Sequence, residues 1–397
     1  MKLAVLTNIL TPYRLPLFEA LQRRVDDFTV LLMARQEENR QWKLSPHRFK
    51  TILLPGIHFR PRGYPVSLHW NYGVIRILRQ VNPDVVISGG FGPANMAAFL
   101  YCKLFGKKYV GWAHLTLQDS PDWKFLRKGL RRLMIGWSNG SIGESSDGRD
   151  AFIHYGAQPD RVLTCVMPLD VRRIHDQTTS VRNSSQYGEW RANYPGPIVL
   201  SIGQAIPRKG YAELFQIYER LVSARPDVCL LVIGDGPERA RYERQVLERG
   251  WRRVHFIGFV QPDELHHYLA IGDVFVFHTL YDPFGLVLSE AMAAELPVVS
   301  SIYASATRDL IEEGVNGFRI DPKDIEPSAA VILKVLEMTT EERAAMGRAA
   351  YARVLRFDVE KSADAIVQFI RALLDSEKKM KKGLLGGRAG ELYGGRK

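Results

Sequence analysis

Short apolar runs of strand length recur along the chain, each followed by a helical pattern, and the series halts once and starts again. In the first half the runs are Leu3–Thr7, Thr29–Met33, Thr51–Leu54, Asp84–Ser88, Lys108–Trp112 and Val162–Val166. In the second half they are Ile198–Ile202, Cys229–Ile233, Val254–Ile257, Val274–Phe277 and Pro297–Ser301. A strand that is apolar at nearly every position is buried on both faces, so it belongs to a parallel sheet covered by helices on both sides. The halt, Asp176–Gly196, is rich in Ser, Thr, Asn, Gln and Gly and reads as a linker. At about 100–200 residues per domain, 397 residues also predict two domains.

The expected architecture is therefore α/β, with two doubly wound Rossmann-like domains over 1–175 and 197–357, joined by a linker at 176–196. Two such domains facing each other would form a cleft, because ligands of open parallel sheets bind outside the carboxyl ends of the strands. Helices are expected at Thr340–Arg356 and Val359–Asp375, the second crossing back to the first domain. The basic, glycine-rich stretch 376–397 is expected to be mobile. Three scattered cysteines (Cys102, Cys165, Cys229) exclude a disulfide framework or a paired-thiolate metal site and read as buried small hydrophobes.

Charge divides the chain. Residues 1–185 carry a net +12, 186–375 a net −6 and 376–397 a net +5, for +11 overall. The first half and the tail should therefore face something anionic, and nucleic acid, anionic lipid and a phosphorylated substrate all fit that balance. No apolar run approaches the roughly 18 residues of a membrane span. The opening apolar stretch is too short for a signal segment, so the chain is expected to be cytoplasmic.

In the acidic second half, one constellation stands out. Asp282-Pro283-Phe284-Gly285-Leu286 follows a strand and opens a helix, and Glu290 lies two turns on. Backbone N–H groups near Phe284, Gly285 and Leu286 suit a phosphate. Asp282 suits sugar hydroxyls and Glu290 suits ribose hydroxyls. A capping acid and a solvated glutamate would account for the same residues.

A second constellation, Gly203-Gln204-Ala205-Ile206-Pro207-Arg208-Lys209-Gly210, follows the first strand of this half. Adjacent Arg208 and Lys209 on a Pro/Gly loop are placed to neutralise a diphosphate, whose charge grows as it leaves. An ordinary solvated pair is the plainer account. Two further turns, at Gly234-Asp235-Gly236-Pro237 and at Gly258-Phe259-Val260, have the same strand-to-helix setting. The second suits backbone contacts to a base.

Taken in order, these motifs resemble the donor-binding half of retaining glycosyltransferases of the GT-B fold, family 4 (group 1) in particular. The shared elements are Gly203…Lys209-Gly210, Gly234–Pro237, Asp282…Glu290 and Gly314-Val315-Asn316-Gly317. Three departures stand beside them: Asp282 replaces the usual Glu, Gln204 the usual Arg, and Ser305-Ala306 a Gly pair. The resemblance implies transfer of a sugar from a nucleoside-diphosphate sugar to a glycan or lipid-linked acceptor, with retention and without metal or cofactor. It implies Asp282, His114, Lys209 and Arg208 as catalytic residues. Gly203, Gln204, Gly234, Phe259, Val260, Phe284, Gly285, Leu286 and Glu290 would complete the donor site. It also implies a role in the synthesis of surface polysaccharide or glycolipid.

The first half lacks the family's N-terminal Gly-rich turn and has Asn8-Ile9-Leu10-Thr11-Pro12-Tyr13-Arg14 instead. Tyr13, Arg14 and Gly90 are the acceptor-side candidates, and His114, after the strand Lys108–Trp112, would approach the reacting sugar. The stretch Trp123–Met134 interleaves apolar residues with Lys124, Arg127, Lys128, Arg131 and Arg132. It fits either a helix lying on an anionic membrane or a core-facing helix with a solvated basic side. Nucleic acid is disfavoured, since no recognition motif accompanies the charge. A dinucleotide-dependent oxidoreductase is set aside because no G-x-G-x-x-G follows either first strand. A non-catalytic sugar-nucleotide-binding partner of another transferase remains the alternative.

Overall fold

The computed structural model describes residues 1–37, 42, 44–59, 68–117 and 124–391. The chain divides into two units. One comprises Met1–Gln41, Ser45–Cys165 and Glu360–Lys397; the other comprises Val166–Val359 with Trp42–Leu44.

The first unit contains β1 (Lys2–Thr7), β2 (Asp27–Leu32), β3 (Lys50–Leu53), β4 (Gly56–Phe59), β5 (Leu68–Asn71), β6 (Val85–Gly89), β7 (Lys108–Ala113), β8 (Gly140–Gly143) and β9 (Val162–Thr164). Seven of these form a parallel sheet in the order β3-β2-β1-β6-β7-β8-β9. β4 and β5 pair antiparallel as a separate hairpin. Leu3 to Leu6 and Val85 to Ile87 are fully or almost fully buried, as a sheet covered on both faces requires.

The second unit contains β10 (Ile198–Ile202), β11 (Cys229–Ile233), β12 (Val254–Gly258), β13 (Val274–Phe277), β14 (Val298–Ser301) and β15 (Gly317–Ile320). They form one parallel sheet in the order β12-β11-β10-β13-β14-β15. Strand order reverses beside β1 in the first sheet and beside β10 in the second, which places a ligand crevice at the carboxyl end of each. The fold class is thus α/β with two Rossmann-like sheets.

Four strands escape the apolar-run criterion. β8 reads Gly-Ser-Ile-Gly, with a single aliphatic residue, and β15 reads Gly-Phe-Arg-Ile. The hairpin β4–β5 carries His58, His69 and Asn71 among its apolar residues.

The expected linker is a correction. Much of 176–196 is helical, within Val171–Arg182 and Tyr187–Ala192, and belongs to the second unit, which begins at Val166. The first helix is capped by Asp170, which accepts from Arg173 N–H (3.3 Å), and of its residues only Val171 and Thr178 are buried. Arg182 donates to the carbonyls of Ala270 (3.3 Å) and Ala294 (2.8 Å). A helix held by so few apolar anchors leaves a polar, loop-like sequence.

From Glu360 onward the helix Val359–Glu391 belongs to the first unit. Arg23 donates to Glu360 (2.5 Å), and Arg24 pairs with Glu360 (2.8 Å) and Asp364 (2.7 Å). Phe369 and Leu373 lie against Gly140, where an added Cβ would come within 2.8 Å of both. The stretch 376–391, expected to be mobile, continues this helix, and 392–397 lie outside the described residues. The three cysteines are free and buried, and burial pushes their thiols up, to about 12 for Cys102 and Cys165 and about 11 for Cys229.

Candidate functional site

In the second unit, the loop after β10 is tied to the loop after β13. The carbonyl of Arg208 accepts from the N–H of Leu280 (2.9 Å) and from Thr279 Oγ1 (3.1 Å). Gly210 has a φ of 74°, and a Cβ there would lie 2.2 Å from the His278 carbonyl, so only glycine lets the two loops approach this closely. His278 lies beneath them, buried, with Nε2 2.6 Å from Ser201 Oγ, and burial pushes its imidazole down to about 3. It is a neutral structural histidine.

This stapling brings Arg208, Lys209 and Asp282 together. Lys209 Nζ donates to Asp282 Oδ2, and Arg208 lies 3.8 Å from the same oxygen. The other carboxylate oxygen accepts from the N–H of Phe284 (3.1 Å). Asp282 therefore caps the turn that opens the helix Leu286–Ala293, while two cations share its charge. Gly285 has a φ of 97° and a Cβ there would fall 2.4 Å from the Phe277 ring, so this turn also needs glycine. Lys209 Nζ lies 5.4 Å from the centre of that ring. Sequence reasoning assigned the cations to a diphosphate and Asp282 to a sugar; the structure joins them into one cluster with a net charge of +1.

Glu290 is part-buried on that helix, and loss of hydration pushes its carboxyl up to about 7. The glycine turns after β10, β11 and β12 are laced together. Gly203 N–H donates to Ile233 O (2.9 Å), and Gly234 N–H donates to Gly258 O (2.7 Å). Gly234 packs so closely on Gly203 that a Cβ would lie 2.0 Å from the Gly203 carbonyl. Gln204 and Phe259 are exposed and Val260 half-buried at this edge. Ser305 and Ala306, standing where the family has glycines, donate their N–H groups to the carbonyls of Asp282 (3.3 Å) and Phe284 (3.0 Å).

In the first unit the carboxyl edge of the sheet holds a cluster that the sequence reading missed in part. Arg14, in the turn after β1, donates to Thr7 Oγ1 (3.2 Å) and to Glu144 (3.2 Å), and lies 4.7 Å from the Trp112 ring. His114 Nε2 lies 2.7 Å from the other oxygen of Glu144. The Glu144 side chain is only 2% exposed. Burial alone would push its carboxyl up, but His114 and Arg14 outweigh that, and it lies below the usual glutamate value. Arg14, an acceptor-side candidate, also takes part in this internal pair. Gly90 (φ 109°) follows the intervening strand β6 with no side chain, and Tyr13 is half-buried beside Arg14.

Glu144 follows β8, which the apolar-run criterion overlooked. The available signal was Ser145, whose Oγ accepts from Gly148 N–H (3.0 Å) as a helix cap. A cap directly after a strand places the residue before it at the sheet's carboxyl edge.

The basic stretch forms the helix Lys124–Gly136. Lys128 and Arg132 are exposed, whereas Arg131 lies 5.7 Å from the Phe91 and Tyr155 rings. Met134 and Ile135 are buried. Among the described residues no helix is long and apolar enough to cross a membrane, and no group of three His, Cys, Asp or Glu side chains is placed to hold a metal.

Two Rossmann-like sheets, each with a charged cluster at its carboxyl edge, define a class of α/β proteins with GT-B-like structural neighbours. Anabaena HepE in complex with UDP superposes with a TM-score of 0.73 at 20% identity, covering 94% of this chain and all of HepE. Within that class, each half of the chain matches a glycosyltransferase family model. Residues 187–353 match the family model of glycosyl transferases group 1, and residues 16–172 that of glycosyltransferase family 4. A lipopolysaccharide core biosynthesis glycosyltransferase of Rhizobium meliloti is 31% identical over 175 residues, covering 44% of this chain and 49% of that protein. A GDP-mannose-dependent alpha-mannosyltransferase of Corynebacterium glutamicum is 26% identical over 304 residues, covering 71% of this chain and 66% of that protein. The matched regions span from about half to two thirds of these two relatives.

Proposed function

We propose that the protein transfers a sugar, with retention of anomeric configuration, from a nucleoside-diphosphate sugar to a glycan or lipid-linked acceptor. The observation that carries this reading is the Arg208–Lys209–Asp282 cluster at the start of the helix Leu286–Ala293. Fixed positive charge at that point stabilises a leaving diphosphate more than the bound donor, and so lowers the barrier. The acceptor oxygen forms a bond to the anomeric carbon as the bond from that carbon to the phosphate oxygen breaks. The acceptor proton passes to a donor phosphate oxygen, and the nucleoside diphosphate departs.

Lys209 and Arg208 hold the diphosphate, Asp282 meets the sugar and Glu290 the ribose. His114 serves the acceptor or the transferred sugar from the first unit. Lys209 and Arg208 supply the charge that a metal would otherwise bring, so transfer is expected to survive EDTA. The UDP-bound and GDP-mannose-dependent relatives support a nucleotide-sugar donor, and the lipopolysaccharide relative supports surface-glycan synthesis. The acceptor is proposed to lie at the cytoplasmic face of a membrane, reached through Lys128, Arg132 and the basic C-terminal stretch.

Calorimetry with UDP and GDP, followed by mass spectrometry of products from their sugar derivatives and lipid-linked acceptors, tests the reading. Binding plus a glycosylated product of retained configuration supports it. Binding without transfer or donor hydrolysis would assign the non-catalytic role instead, and absence of binding to any nucleoside diphosphate would remove the donor site. Liposomes containing anionic lipid should bind at low salt; if they do not, only the membrane contact falls.

A further inference from the structure

We propose that Glu144 is a positioning residue of the first unit's site, its buried carboxylate fixing the imidazole of His114 and the guanidinium of Arg14. The inference deepens the proposed function and rests on it for the meaning of His114.

The placement follows from the sheet. β7 and β8 pair in parallel with Ala113 opposite Gly143, so His114 and Glu144 are the next residues beyond that pair. Their side chains meet at 2.7 Å. Arg14 reaches the same carboxylate from the turn after β1, past the end of β6, where Gly89 and Gly90 carry no side chain. One acid thus gathers side chains from two other segments of the sheet edge.

The pair is asymmetric in burial. Glu144 is 2% exposed and Arg14 is 14% exposed, whereas His114 is 28% exposed and presents its ring at the surface. A purely internal ion pair has no need of an accessible imidazole. A carboxylate on one ring nitrogen fixes both the orientation and the proton position of the other. Nε2 is the ring nitrogen turned to Glu144.

The test compares Glu144→Gln, His114→Asn and the double variant. Glu144→Gln is expected to bind UDP or GDP within about twofold of wild type, because the nucleotide site lies in the other unit. Its kcat should fall about 10- to 100-fold, the usual scale for a group that orients another. In the His114→Asn background the same change should cost far less than in wild type, leaving only the share that acts through Arg14; fully additive losses would overturn the proposal.

A second readout needs no turnover. The ring ¹⁵N signals of His114 should shift in Glu144→Gln, and unmoved signals would overturn the proposal even if wild-type protein shows no transfer. Should Glu144→Gln fail to fold, Glu144→Asp keeps the charge but draws the carboxylate back by one methylene and supports the same comparisons. A merely structural carboxylate would lower Tm while leaving the kcat of the folded fraction unchanged.

Discussion

Each unit sets one acid between two basic side chains at the carboxyl edge of its sheet, yet the two clusters are built for different loads. Asp282 is 12% exposed and shares a surface loop with Lys209 and with Arg208, which is 44% exposed. Glu144 is sealed beneath Arg14 and His114. The open cluster can exchange its internal partner for a ligand's charge at small cost. The sealed one cannot, because an uncompensated buried charge is expensive. That difference suits the proposed charge stabilisation by the second unit and the proposed orienting role of the first.

Lys209→Ala offers the strongest way to break that assignment. Transfer should fall about 100- to 1000-fold with little change in Tm, as when a single preorganised charge-stabilising group is lost. Wild-type-like turnover in steady-state assays would remove Lys209 from the site.

Stability separates the two acids next. Glu144→Ala should cost about 3–5 kcal/mol in urea melts, since it strands Arg14. Asp282→Ala should cost about 1–2 kcal/mol, the worth of a helix-turn cap with a partly screened ion pair. Equal losses would erase the distinction between sealed and open.

Glu290 sharpens it further through pH. Its carboxyl, raised from 4.5 to about 7, keeps in the folded chain a proton that the unfolded chain has already released. The folded state is therefore penalised progressively as pH rises through that window. Glu290→Gln stays neutral throughout, so it should stabilise the ligand-free protein by about 1–3 kcal/mol at pH 8 and by nothing at pH 4. Thermal melts at the two pH values check the sign. The same substitution should weaken nucleotide binding about tenfold, if Glu290 accepts from ribose hydroxyls; unchanged calorimetric affinity would end that role.

Much of the second unit was legible because its site residues sit beside glycines that backbone geometry demands. Gly210, Gly234 and Gly285 each adopt a positive φ and each presses on a neighbouring loop or ring. Local sequence therefore marks the strand-to-helix turns from which Lys209 and Asp282 project. The first unit offered no such marks. Its defining acid follows a strand with one aliphatic residue, and its partners lie 30 and 130 positions away. That distance is closed only by sheet order, which no local pattern encodes. The misread linker failed for the opposite reason. Val171–Arg182 needs so little apolar surface to dock that its composition resembles a loop.

The helix Val359–Glu391 has a consequence for the order in which the protein is made. Its contacts with Arg23, Arg24 and Gly140 close the first unit with residues that lie beyond the whole of the second. At synthesis rates of about 5–20 residues per second, the second unit is complete on the ribosome before Phe369 and Leu373 exist. The segment synthesised first is thus the last to be finished. Until then, Gly140 at the start of β8 waits uncovered for the helix Val359–Glu391.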